Sequence, residues 1–155
     1  MTSEIEIRWA AGDDAAVVAR MLRDFNDEYD EPTPPLEELA ENLRRLIEAD
    51  EIIVLLTGDG PDGLAQLQFR ASLYAAAPDA YLGELYVVPE RRGEGIGRAL
   101  LEAAIEAARE RGATRIELNT STDDEPARGL YESSGFTNRE GGPDGPVMLY
   151  YERDL

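Results

Sequence analysis

The sequence predicts a mixed α/β fold with its strands mostly in one sheet, in the order β-α-α-β-β-β-α-β-α-β. The length of 155 residues suits a single domain, 1–155. Apolar residues switch repeatedly between period two and helical spacing, and Gly and Pro fall where the switches occur. Ile5, Ile7 and Trp9 alternate with polar residues as a first strand. Asp13 or Asp14 can cap a helix that carries Val17, Val18, Met21, Leu22 and Phe25 on one side. Pro34 and Pro35 open a second helix with Leu36, Leu39, Leu43, Leu46 and Ile47 in a stripe. Strands are expected at 52–57, 64–72 and 80–88, then a long helix at 96–111 stopped by Gly112. A strand at 115–120 follows. Asp124 and Pro126 start a short helix that ends at Gly135, and 147–152 read as a last strand.

The composition removes several chemistries. The chain has no Cys and no His, and all 15 of its basic residues are Arg. Thiol nucleophiles, His-based triads, Schiff-base lysines and Cys/His zinc sites are therefore excluded, and no metal is expected. The net charge of −18 repels a phosphate backbone, so no nucleic acid is expected as a partner. A cationic substrate is the natural alternative, with simple solubility the other reading of such acidity. The N-terminal residues lack the basic and apolar regions of a signal peptide, and apolar runs reach only about five residues, far short of a membrane span. A cytoplasmic location away from the membrane is expected. Residues 1–62 carry 17 acidic and 5 basic side chains, whereas 89–115 carry 6 Arg against 5 Glu. That locally basic island is where an anion fits best.

Within the island, Arg92-Gly93-Glu94-Gly95-Ile96-Gly97 lies between a strand and a helix. Glycines let a backbone approach a ligand closely, and the amides at a helix start favour anions. With Arg91, Arg92 and Arg98 the string describes a pyrophosphate cradle; a tight turn that binds nothing is the competing reading. The dinucleotide fingerprint G-x-G-x-x-G fails here, because Arg98 stands at its third glycine.

The stretch Leu85-Tyr86-Val87-Val88-Pro89, the loop, and Ala99-Leu100-Leu101 together resemble the acetyl-CoA site of GNAT-superfamily N-acetyltransferases. The signature Gln/Arg-x-x-Gly-x-Gly/Ala is matched by Arg92, Gly95 and Gly97. A second, Ala-x-x-Leu-Tyr-x-x-x-Gly-Phe, is matched by Ala127, Leu130, Tyr131, Gly135 and Phe136. Asp124 stands where members often carry an Asn that helps bind the cofactor.

The resemblance implies a twisted, mostly antiparallel sheet flanked by helices, with acetyl-CoA as co-substrate. It implies that the main chain of Leu85, Val87 and Val88 pairs with the pantetheine arm. The pyrophosphate then belongs at Arg92, Gly93, Gly95, Ile96, Gly97 and Arg98. It also implies Tyr131 as proton donor to the departing thiolate; a phenol of ordinary pKa about 10 suits that task, and a core tyrosine on an amphipathic helix is the alternative. Glu84 lies in an apolar strand on the face opposite Leu85 and Val87. Partial desolvation there raises its pKa toward that of a useful base, and an exposed strand glutamate is the alternative. Glu117 is the lesser candidate.

The expected activity is acetyl transfer to a primary amine of a small molecule or peptide, by direct attack in a ternary complex. The alternative is a non-catalytic CoA-binding sensor or scaffold of the same fold. Asp24, Asp27, Glu28, Asp30 and Glu31 fall within eight residues on the side where the family places its acceptor. Asp27, Glu28 and Asp30 are accordingly expected to receive a cationic acceptor, with a solvated acidic loop as the plainer reading. A homodimer is left open.

Overall fold

A computed structural model describes residues 4–155, which divide into two compact units, one ending at Leu118 and the other Asn119–Leu155. In the first unit the elements are β1 (Ile7–Trp9), α1 (Ala15–Glu28), α2 (Leu36–Glu48), β2 (Ile52–Thr57), β3 (Gly63–Arg70), β4 (Asp79–Val87), α3 (Ile96–Glu110) and β5 (Ile116–Leu118). The second holds α4 (Glu125–Ser133). Among the described residues no helix is long and apolar enough to cross a membrane.

The five strands form one sheet in chain order, antiparallel from β1 to β4, with β5 parallel to β4. Every residue of β2 is buried, as a strand must be when both faces of its sheet are covered. Its continuous run of Ile, Val and Leu is the sequence counterpart. On one face Val54, Leu56, Leu64 and Tyr86 pack with Val18, Leu22 and Leu43 of α1 and α2. On the other, α3 presses against β3. A Cβ at Gly63 would stand 2.9 Å from Leu100 and 3.0 Å from Ile96, so only glycine fits beneath the helix there. α3 buries Ile96, Leu100, Leu101, Ala104, Ala107 and Ala108 and stops at Gly112, whose φ of 81° suits glycine.

The local expectations differ at three places, the first being the strand expected at 115–120, which is confined to Ile116–Leu118. Asp14 occupies the position before α1, but its carboxylate does not cap the helix. It accepts from Arg8 at 2.9 and 3.0 Å and from the Ala11 N–H at 2.8 Å, and the Arg8 hydrogen bond holds its pKa below the usual carboxylate range. Residues 147–152, expected as a last strand, form one antiparallel bridge in their own unit, Val147 with Arg139. Gly141, Gly142 and Gly145 lie in the turn between those two residues. Positive φ at Gly141 and Gly142 shapes a compact loop there rather than a long two-stranded ladder.

Candidate active site

Two irregularities in the first unit shape the candidate site. Opposite β3, the register of β4 shifts at Gly83, so that Gln66 faces Glu84 while Leu67 faces Leu82. This is a β-bulge, which bends a strand and ends regular pairing. On the other side the parallel ladder with β5 covers only Ala80, Tyr81 and Leu82. Past the bulge, β4 therefore has no strand partner on that side within the unit. The Val88 N–H bonds to the Asp62 carbonyl at 2.9 Å, and antiparallel pairing alternates. The main-chain groups of Leu85 and Val87 therefore point away from β3, toward this open edge. Val88 does not belong to it. Its N–H is held by Asp62 and its carbonyl accepts from the Arg91 N–H at 3.0 Å, which corrects the expectation that it shares the edge with Leu85 and Val87.

After β4 the chain makes a short 3-10 turn, Pro89–Arg91, and enters α3 through two glycines in the left-handed region, Gly93 at φ 82° and Gly95 at φ 86°. Neither would bring a Cβ within 4 Å of a protein atom. Backbone conformation, not crowding by the protein, requires glycine there. The amides of Gly95, Ile96 and Gly97 open the helix without an intrahelical acceptor and carry its positive dipole end.

The arginines of the loop behave differently from the sequence expectation. Arg91 bonds to Asp62 at 2.8 Å and to Glu94 at 2.9 Å. Asp62 also accepts the hydroxyl of the buried Thr57 at 2.5 Å, so the β2–β3 turn braces the loop. Arg92 grips both Glu28 oxygens at 2.7 and 2.9 Å and donates through Nε to the Val87 carbonyl at 2.9 Å. Its guanidinium lies 5.8 Å from the Tyr86 ring, which itself packs on Phe25. Both arginines are thus neutralised by the protein's own carboxylates. The backbone amides are the donors that this loop presents to an anion without an ion pair giving way.

Glu84 sits half-buried on the α1–α2 face beside Tyr86, and desolvation pushes its pKa above the ordinary glutamate value. Glu117 pairs with Arg115 at 3.2 Å. In the acidic cluster, Glu28 is occupied by Arg92 and Asp24 contacts Arg23, while Asp27 and Asp30 are exposed. Asp30 is also a left-handed turn residue, φ 54°, just past α1, a conformation that a short polar side chain tolerates.

In the second unit Asp124 caps α4 by accepting the Ala127 N–H at 3.3 Å. Gly135, at φ 93°, turns the chain so that Phe136 bonds back to the Tyr131 carbonyl and its ring meets Tyr131 edge-on at 5.9 Å. The second sequence signature is therefore a helix, its glycine stop and an aromatic pair. Sequence reading missed Asp62, Thr57 and Gln66. Asp62 lies in a Gly-rich turn that reads as a plain loop, and nothing local distinguishes it.

Burial of Glu84 carries a consequence for stability. Its native pKa lies above its unfolded value, so the penalty for its charge is absent below the ordinary glutamate range, about pH 4. The penalty develops as pH rises through that value to the raised one. Glu84→Gln is expected to be more stable than the parent at pH 8, with the difference vanishing in acid. Melting temperatures across pH check this; a constant difference contradicts it.

A strand edge that opens at a bulge and leads into a glycine turn at a helix N-terminus can hold an elongated anionic molecule along its length. The model of the acetyltransferase (GNAT) family matches residues 18–136, and the chain belongs to this family. A mycothiol acetyltransferase of Beutenbergia cavernae is 41% identical over 91 residues, 57% of this chain and 29% of that longer protein. An aminoglycoside N(6')-acetyltransferase type 1 of Stenotrophomonas maltophilia is 29% identical over 86% of this chain and 87% of its own. The crystal structure of a proposed acetyltransferase from Arthrobacter sp. FB24 superposes with a TM-score of 0.91 at 46% identity, covering 100% of this chain and 99% of that one.

Proposed function

We propose that the protein transfers an acetyl group from acetyl-CoA to a primary amine by direct attack in a ternary complex. The observation that carries the reading is the continuity of the β4 edge with the amides at the start of α3. The Leu85 main chain and the Val87 N–H suit the amide groups of a pantetheine arm, the Val87 carbonyl being held by Arg92, and the amides of Gly95, Ile96 and Gly97 suit its pyrophosphate. When bound, acetyl-CoA supplies an activated thioester. Glu84, with its raised pKa, accepts a proton from the acceptor's ammonium, directly or through a water. The nitrogen lone pair forms the new bond to the acyl carbon while the C–S bond breaks. As the family resemblance implies, Tyr131 gives the sulfur its proton, and the second proton that the nitrogen sheds on becoming an amide passes through solvent and restores the phenol. An N–H on the β4 edge would donate to the carbonyl oxygen as charge develops and lower the barrier further. With no Cys or His in the chain, no thiol or imidazole is available to carry the acetyl group covalently.

The acceptor in this reading carries a second positive charge. The support is the exposed pair Asp27 and Asp30 at the end of α1 and the likeness to an enzyme that acts on aminoglycosides. A diamine is expected to outcompete a monoamine of equal reach, with an advantage that shrinks as salt screens the charges. Replacing Asp27 and Asp30 by Asn is expected to raise KM for the diamine several-fold and to leave acetyl-CoA affinity unchanged. Equal KM values in variant and parent would show that the pair only solvates the loop.

A further inference from the structure

Gln66 stands in the middle of β3, between Val54 of β2 and Glu84 of β4 in the register of the sheet. Val54 belongs to the core under α1 and α2. Directly paired residues share a face, so Gln66 and Glu84 are neighbours on that face. Gln66 is 9% exposed, and its carboxamide takes part in no hydrogen bond among the described residues. Among the described residues no side-chain nitrogen or oxygen is both sealed from solvent and unpartnered. The polar atoms of Gln66 therefore reach an opening. The bulge residue marks where the amide lies. A Cβ at Gly83 would collide with the Gln66 carboxamide oxygen, so glycine at that position makes room for the amide immediately before Glu84.

We propose that the Gln66 carboxamide binds the acceptor amine beside Glu84 and orients it for attack. The inference rests on the reading of Glu84 as the proton acceptor. A primary ammonium offers three N–H groups. Glu84 removes one proton, Gln66 accepts a hydrogen bond from a second N–H, and the freed lone pair is turned to the acyl carbon. A carboxamide does not titrate in this range, so it orients the nitrogen without competing for its proton. An alcohol has one O–H and cannot serve both groups as donor, so the pair selects nitrogen over oxygen acceptors.

The test starts from the parent and a panel comprising putrescine, kanamycin and an alanine-starting peptide. If the parent acetylates none of a broad set of amines, the underlying reading fails and this inference goes with it. With an active parent, Gln66→Leu is expected to lower kcat/KM for the best acceptor about tenfold or more, the usual effect of losing a hydrogen bond to a charged group. Acetyl-CoA affinity should stay as in the parent, and the melting temperature should be unchanged or higher. Gly83→Ala, which displaces the amide without removing it, should show the same acceptor defect. Gln66→Glu places a second carboxylate opposite Glu84, so the acidic limb of the pH–rate profile should move to higher pH. Unchanged kcat/KM in Gln66→Leu, or equal losses in acetyl-CoA affinity and acceptor turnover, would reduce Gln66 to a packing residue. An unmoved acidic limb in Gln66→Glu would count against the proposal even if the Leu variant did not fold.

Discussion

Replacing Tyr131 by Phe is expected to lower kcat by about 10²–10⁴, the range attached to a general acid, while acetyl-CoA affinity changes little. The substitution removes one oxygen and keeps the ring that meets Phe136 edge-on, so the helix and its glycine stop should survive. A thiolate leaving without a proton source must depart as the anion, and the loss should therefore appear in kcat. Calorimetric binding of acetyl-CoA alongside steady-state rates separates the two effects. Parent-like turnover in the variant would return Tyr131 to a packing role against Phe136.

Gly95→Val is expected to weaken acetyl-CoA binding by roughly tenfold to a hundredfold, equivalent to losing one charge-assisted hydrogen bond. Two effects combine at this residue. Its φ of 86° is strained for any L-residue, by about 1–2 kcal/mol, and most of all for a β-branched one. Its Cβ also projects where no protein atom stands within 4 Å, into the space that the proposed pyrophosphate needs. The first effect lowers the melting temperature; the second lowers affinity even where the variant is fully folded. Unaltered affinity in a folded Gly95→Val protein would remove the phosphate group from this loop.

Much of this architecture can be read from local sequence. The unbroken apolar run of β2, the stripe on α3, the stop at Gly112 and the Asp124 cap are each set by neighbouring residues. The glycine turn before α3 is legible for the same reason, since its glycines answer to backbone angles. The signature that ends in Gly135 and Phe136 is likewise a local device. Other parts depend on residues far apart in the chain. Arg92 reads as a free cation beside the loop, yet Glu28, 64 residues earlier, takes its charge. Arg91 is taken in the same way by Asp62. The bulge at Gly83 arises from the register of two strands, and one glycine among apolar residues does not announce it. Without that register neither the loss of Val88 from the open edge nor the placing of Gln66 beside Glu84 can be seen. The acidic cluster was legible as charge, but its division between a structural Glu28 and exposed Asp27 and Asp30 was not.

Initial rates of acetyl transfer, with acetyl-CoA and a diamine acceptor varied together and the product identified by mass, test the central claim most directly. Direct transfer in a ternary complex predicts an acceptor that gains one acetyl group, one free CoA thiol per product, and double-reciprocal lines that intersect. Tight acetyl-CoA binding with no acetylated product from any amine would contradict the account and leave a CoA-binding module. Parallel lines would instead require a covalent acetyl-enzyme and overturn the direct route.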